Sequence, residues 1–506
     1  MNVSIGVDIG TTQTKAAAFS DNGKALASCY FKYPLIQETE GMAEQDQELI
    51  FQGVINVIRE VVQQLPEKTV IDFVSFSSAM HSLILLDDQK EPLTKMITWA
   101  DNRAAGEAEN LKQLPLGKEI YQLTGTPIHP MTPLTKIKWL QTENPALFEK
   151  SAYFVGIKEL IFQRFFDILA CDYGNASGTG YFNIHTFEWE KTALDYINLS
   201  PNKLPKIYPS TQLFTGLEAG YAEQMQLPIN TPFVLGGADG PLSNLGLGAF
   251  GEGKGALTVG TSGALRYITK EPYLHPNMET FCYVLDKKHW VVGGATSNGA
   301  GIFEWARQTF FAHSDAPADY QQIFSLIEEV PPGSHGLLFQ PYLLGERAPL
   351  WQAEASGSFV GLRRNHTEKE MIWAVVEGIC FNLRRILAGT GVIAEKITEL
   401  RGTGGFANSE VFRQVMADIL GRPLVFPKNN EASALGSVIL GWQSLGKIYE
   451  FQEAHFLFEE TEQVAVQEDN HQLYQQIYPL FVQTQKQMAE NYQQLAELRK
   501  KLANPE

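Results

Sequence analysis

Apolar residues open the chain in short strand-like runs, over residues 3–9 and 14–19, separated by Gly10-Thr11-Thr12. Asp21-Asn22-Gly23 follows as a turn, because Asn-Gly accommodates the positive φ of a tight hairpin, and residues 26–33 then read as a third antiparallel strand. The period changes at residue 48. Leu49, Ile50, Val54, Val57, Ile58, Val61 and Val62 recur at helical spacing and predict an amphipathic helix over 48–65. Residues 71–76 predict a buried strand ending at Ser77-Ser78. Further on, the apolar run 233–235 stops at Gly236-Gly237-Ala238-Asp239-Gly240. That places a carboxylate at a strand end, where open α/β sheets hold their sites.

The opening theme then returns. Residues 256–259 form a strand candidate, Gly260-Thr261-Ser262-Gly263 a turn, and residues 264–268 another strand. The repeat of strand, Gly-Thr turn and strand predicts two α/β domains divided between Gly246 and Gly253, as residues 1–246 and 247–506. Helices are predicted over 369–388 and 409–420, with a strand-loop from Glu399 to Gly405 between them. The glycine-free tail after Asp469 lacks a sustained heptad and predicts a packed terminal helix rather than a coiled coil.

Composition narrows the partners. The 506 residues suit about three domains or two large ones, and need no disulfide or metal staple to fold. A net charge of −17 argues against nucleic acid or an anionic membrane as the main partner, while leaving room for a local basic pocket. No run of 18 apolar residues is present, and the start MNVSIGVDIG does not read as a signal peptide. The four cysteines, Cys29, Cys171, Cys282 and Cys380, stand far apart without a CxxC pair. Free thiols and a cytoplasmic location are the expectation.

Two glycine motifs are misleading. Gly246-Leu247-Gly248-Ala249-Phe250-Gly251 spells GxGxxG, but a dinucleotide fingerprint must follow a strand and open a helix, and this one reads as a helix end entering a turn. Gly248 to Lys254 spells GxxxxGK, but Gly255 stands where a P-loop needs Ser or Thr. The Gly-Thr turns are better phosphate sites, since small residues can aim several N–H groups and threonine hydroxyls at a polyphosphate. Asp8, just before the first turn, could hold Mg²⁺ through water, and Lys15 adds positive charge. Alone, this would be a hairpin with a buried Asp; two copies flanking Asp239 favour phosphate chemistry. Asp239 reads as a general base or a helix N-cap, two compatible roles. Met80-His81, Trp99-Ala100-Asp101-Asn102-Arg103, Lys158-Glu159, Asp172-Tyr173 and Glu346-Arg347 complete the polar constellations. Each one alone reads as an ion pair or a satisfied polar group.

Together these segments resemble the FGGY family of carbohydrate kinases, and most of all its gluconokinase branch. Met131-Thr132-Pro133-Leu134-Thr135-Lys136-Ile137-Lys138-Trp139-Leu140, running on to Glu143, is similar to the first family pattern. Gly357-Ser358-Phe359-Val360-Gly361-Leu362, continuing to Ala374-Val375-Val376-Glu377, is similar to the second. Asp8-Ile9-Gly10-Thr11-Thr12 and Gly260-Thr261-Ser262-Gly263 look like its two phosphate loops. Gly404-Gly405-Phe406-Ala407-Asn408-Ser409 looks like its adenosine loop, and Glu431-Ala432-Ser433-Ala434-Leu435-Gly436 like its closing motif. Thr98 to Arg103, Thr124 to Met131 and Gly345-Glu346-Arg347-Ala348-Pro349 carry the gluconokinase phrasing.

The resemblance implies an α/β fold of two ribonuclease-H-like, actin-like ATPase domains with an active-site cleft between them. It implies ATP and Mg²⁺ as cofactors, Asp239 as the base and Asp8 beside the metal. It places Thr11, Thr12, Lys15, Gly260, Thr261, Gly404, Gly405 and Asn408 around ATP, and Met80, His81, Trp99, Asp101, Arg103, Lys158 and Asp172 around the sugar. Gluconate is an anion, so its site needs a cation. Arg103 and Lys158 are the candidates, and the planar guanidinium of Arg103 is favoured. Xylulose or another neutral sugar, and a non-catalytic actin-like ATP-binding module, remain as alternatives. A small-molecule sugar acid is the expected partner, with a homodimer left open.

Overall fold

The computed structural model describes residues 1–311, 320–428, 431–458 and 461–503. A six-stranded sheet occupies the first half. From edge to edge it runs Leu213–Phe214, Phe233–Ala238, Val70–Ser78, Asn2–Ile9, Gln13–Ser20, Ala25–Lys32. Asn2–Ile9 is antiparallel to Gln13–Ser20 and parallel to Val70–Ser78. Val3, Ile5 and Val7 on one face and Ser4 and Gly6 on the other are all buried, as a central strand covered on both faces requires. The hairpin into the third strand closes on Gly23, at φ 74°, with Gly23 N–H donating to Ser20 O at 2.8 Å. Helix Gln47–Gln64 starts at Asp46, whose side chain accepts from Glu48 N–H and Leu49 N–H. It packs Ile50, Val54, Val57, Ile58 and Val61 inward; Leu49, predicted on that face, is exposed instead, and Phe51 is buried.

A seven-stranded sheet occupies the second half. Its order is Phe281–Asp286, His289–Thr296, Gly263–Thr269, Lys254–Val259, Glu399–Thr403, Leu424–Pro427, Thr461–Val464. Lys254–Val259 leads into the second Gly-Thr turn and is antiparallel to the next strand and parallel to Glu399–Thr403. The two halves therefore repeat one pairing pattern around their Gly-Thr turns, as the sequence theme predicts. Helix Asp239–Gly246 ends before the turn at Gly248 and Gly251, both at positive φ, and the strand Lys254–Val259 follows. Neither glycine motif opens a helix, so neither is a nucleotide fingerprint.

The two sheets are joined by a crossed helix pair. Helix Ala432–Ser444 belongs to the second half in sequence but lies on the first sheet. There Ser75 Oγ donates to Ser437 O at 2.7 Å, and Trp442 Nε1 to Ser4 Oγ at 3.2 Å. It crosses helix Asp239–Gly246 in backbone contact. A Cβ on Gly436 would stand 1.9 Å from Leu242 O, and one on Gly246 1.7 Å from Ala432 O. The small residues of the Glu431-Ala-Ser-Ala-Leu-Gly segment thus have a packing cause. Helix Glu368–Gly389, which begins with a capping box at Thr367 and Glu370, carries Glu377 into the core. Glu377 accepts from Gly333 N–H, Ser334 Oγ and Tyr474 Oη at 2.6–2.8 Å, tying down the terminal helix Glu468–Ala503.

Candidate active site

Three parallel strands end together at one edge of the first sheet. Ile9 pairs with Ser78, and Ser78 with Ala238. The residues at or just beyond those ends are Asp8, Met80-His81 and Asp239. Ser77 Oγ donates to Asp8 Oδ1 at 2.7 Å, and Asp8 stands opposite Lys15 in the first hairpin. Burial, then the Asp239 charge, push the Asp8 carboxyl up to about 7; Glu431 adds to this and Lys15 opposes it. Lys15 pairs with Glu431, which joins the first phosphate turn to the start of the exchanged helix. Asp239 opens its helix and accepts from Gly240 N–H at 2.7 Å, so it occupies the positive end of the helix dipole. Burial raises its carboxyl above the ordinary aspartate range, against the pull of Arg266, Gly240 N–H and Arg347.

A second group of side chains faces Asp239. His81 sits at φ 65° with Nδ1 2.6 Å from Gly178 O. A carbonyl only accepts, so Nδ1 carries the hydrogen and Nε2 is left as an acceptor. Burial pushes the imidazole down to about 3, which keeps it neutral. Its Nε2 lies 3.5 Å from Tyr283 Oη of the second half. That strand is seated by Cys282 N–H donating to Gly125 O at 2.8 Å and Val284 N–H to Ser177 Oγ at 3.1 Å. Trp99 Nε1 donates to Thr11 Oγ1 at 2.8 Å, linking the Trp99 segment to the first Gly-Thr turn. The Arg347 guanidinium stacks 4.5 Å from the Trp99 ring centre. Lys136, from the first family pattern, is buried and donates to the carbonyls of His81 and Thr98, both at 2.7 Å. It therefore anchors the segments that present His81 and Trp99.

The other predicted sugar-side residues are otherwise engaged. Arg103, favoured as the holder of a carboxylate, already holds two. Its Nε donates to Asp101 at 2.9 and 3.1 Å and its Nη2 to Glu44 at 2.5 Å, with the guanidinium stacked 4.6 Å from Trp139. Asp101 is buried and also accepts from Ala43 N–H at 2.9 Å. Lys158 and Asp172 form a fully buried pair at 2.6 Å. Lys158 also reaches Gly237 O at 3.3 Å, and Asp172 caps the helix Tyr173–Ser177. The expectation that Arg103 or Lys158 supplies a free cation is corrected: internal carboxylates neutralise both. Lys158 instead steadies the strand two residues before Asp239.

On the nucleotide side, the two glycine loops of the second half touch. Gly404 has φ 108°, and a Cβ there would stand 2.3 Å from Val259 O and 3.1 Å from Gly260 N. The second phosphate turn is braced from behind, where Ala300 N–H donates to Gly260 O at 2.7 Å. Thr12, Thr261, Gly404, Gly405 and Asn408 are exposed, and Thr11 and Gly260 half-buried. The residues fit a magnesium nucleotide. Asp8 has one oxygen engaged by Ser77, and a nearby cation would relieve the carboxylate crowding that raises it.

Sequence reasoning overlooked Arg266 and Tyr283 and left Arg347 outside the site. A signal for Arg266 existed: it is a charged residue in the otherwise apolar strand after the second Gly-Thr turn. Nothing comparable marked Tyr283.

Comparison with known proteins identifies the family. The N-terminal domain model of the FGGY family of carbohydrate kinases matches residues 3–246, and the C-terminal domain model matches residues 255–445. The chain is 42% identical over 505 residues to the gluconokinase of Bacillus subtilis (strain 168), covering 98% of each. Two solved structures from Lactobacillus acidophilus superpose with a TM-score of 0.93 at 38% identity over 98% of this chain. One is described as a gluconate kinase (99% of its chain covered) and the other as a ligand-bound xylulose kinase (100% covered). The chain belongs to the FGGY family of carbohydrate kinases.

Proposed function

We propose that this chain transfers the terminal phosphoryl group of ATP to the terminal hydroxyl of D-gluconate, giving 6-phosphogluconate and ADP. The observation that carries the reading is Asp239: a carboxylate at a strand end, in the cleft between the two halves, near Asp8 and the first Gly-Thr turn. Asp239 accepts the hydroxyl proton as that oxygen bonds to phosphorus, and the bond from phosphorus to the leaving ADP oxygen breaks. The N–H groups and hydroxyls of Thr11, Thr12, Gly260 and Thr261 bind the phosphates, and Lys15 adds charge. Gly404, Gly405 and Asn408 line the adenosine side. Asp8 would hold Mg²⁺ through water, and the ion would supply charge neutralisation for the phosphates. His81 Nε2 accepts from a sugar hydroxyl, while Met80 and Trp99 cover carbon and exclude water.

Gluconate is favoured over xylulose by the full-length likeness to a gluconokinase, together with Arg266 and Arg347, which face Asp239. The likeness to a structure described as a xylulose kinase keeps that ketose as the second reading. Coupled ADP-release assays with MgATP and either sugar decide between them. A kcat/KM for gluconate that does not exceed that for xylulose would refute the first reading.

A further inference from the structure

Two guanidinium groups in the cleft lack, among the described residues, the close carboxylate partners that Arg103, Arg164 and Arg385 have. Arg266 projects from the strand Gly263–Thr269 against the first turn of the Asp239 helix, where a Cβ on Gly240 would lie 3.1 Å from its Nε. Its one described side-chain hydrogen bond is a long one, from Nη1 to Thr258 Oγ1 at 3.5 Å. Arg347 gives Nη2 to Thr296 O at 2.9 Å, and its Nε is buried without an acceptor. Among the described residues no carboxylate comes within 4.0 Å of either guanidinium. Glu346 is adjacent in sequence, but its oxygens face Thr296, Ser297, Asn298, Asn382 and the Arg347 backbone N–H. That bond set fixes the Arg347 backbone, and Glu346 acts on the guanidinium as a charge without a hydrogen bond to it.

The positions also suit a ligand. Both groups are half-buried, so the cleft reaches them, and both act on Asp239 and Tyr283. Arg347 is pre-oriented by Trp99, whose face is a surface for sugar carbon. A guanidinium with a buried N–H left unsatisfied is costly unless a ligand completes it, and a planar fork matches a carboxylate with two parallel hydrogen bonds.

We propose that Arg266 and Arg347 together hold the carboxylate of the sugar-acid substrate and set the preference of this kinase for aldonates over neutral sugars. The inference rests on the sugar-acid kinase reading above. The competing anion is the nucleotide's phosphate chain. The Gly-Thr turns suit it through their N–H groups, whereas Arg347 lies among Trp99, Tyr283 and His81 on the sugar side.

The test compares wild type with Arg266→Gln, Arg347→Gln and Arg347→Lys. It measures KM and kcat for gluconate and for xylulose, and the Kd for ADP by titration calorimetry. Loss of a charge-assisted contact should raise KM for gluconate roughly 10- to 100-fold in both Gln variants, with the ratio of gluconate to xylulose kcat/KM falling in step. The Kd for ADP should stay within about threefold, and Arg347→Lys should recover only part of the loss. A weakened ADP Kd with unchanged gluconate KM would assign the arginines to the nucleotide and overturn the proposal. Unchanged constants throughout would overturn it too. Should Arg347→Gln fail to fold, Arg266→Gln and Arg347→Lys carry the test. A wild type that phosphorylates xylulose but not gluconate would remove the functional reading itself, a result visible before any variant is made.

Discussion

Replacing Asp8 with Asn should stabilise the ligand-free protein, and by an amount that depends on pH. The Asp8 carboxyl is raised from 3.8 to about 7, mainly by burial and then by the charge of Asp239. Below pH 3.8 the folded and unfolded chains are both protonated at this residue. Above it the unfolded chain releases the proton and the folded chain keeps it, so wild-type stability is lost progressively as pH rises through about 7. At ~1.36 kcal/mol per pH unit the full difference would be ~4 kcal/mol, and water reaching the cleft cuts this to about half, or ~2 kcal/mol. Asn keeps the acceptor for Ser77 but has no proton to lose. Its advantage over wild type should therefore grow between about pH 4 and pH 7 and then level off. For domains of this size that corresponds to a Tm gap of roughly 4–8 °C. Scanning calorimetry of both proteins without ligand, across that range, reads it directly. Adding MgADP should narrow the gap, because a bound cation favours the ionised wild-type carboxylate. Parallel profiles for the two proteins would show that Asp8 is not held protonated, and the electrostatic account of the cleft would be wrong.

Two further outcomes follow from the geometry. Gly436→Ala places a Cβ 1.9 Å from Leu242 O, so the crossed helices must separate; a loss of roughly 2–4 kcal/mol is expected in a denaturant titration, and a loss below about 0.5 kcal/mol would show that the crossing is not tight. The kcat/KM–pH profile should have an acid limb above the ordinary aspartate range, activity falling as pH drops through the raised Asp239 value; an acid limb at or below the ordinary range would contradict the environment described for that carboxylate.

Much of the fold was legible because its signals are local. The strand periods, the Asn22-Gly23 turn and the helix over 47–64 depend on neighbours within a few residues, and all were readable. Asp239 was readable because a glycine-terminated strand followed by Asp-Gly-Pro marks a strand-to-helix junction. The charge assignments were not local. Asp101, two residues from Arg103, was in view, but Glu44, 59 residues away, reaches the same guanidinium only in the fold. Lys158 likewise is neutralised by Asp172 across a helix and a strand. Tyr283 and Arg347 come from the second half and meet His81 and Trp99 only through the packing of the two halves, as Arg266 meets Gly240. The exchange of helix Ala432–Ser444 onto the first sheet was also invisible, since its small residues have no local meaning until Gly6, Leu242 and Gly246 are seen against them.

The most direct test of the account is turnover and nucleotide binding in Asp239→Asn, which preserves shape and removes the base. The account predicts that kcat on gluconate falls by about three orders of magnitude or more while the Kd for ADP stays within about threefold of wild type. Turnover within about tenfold of wild type, in a variant that still binds ADP, would contradict it.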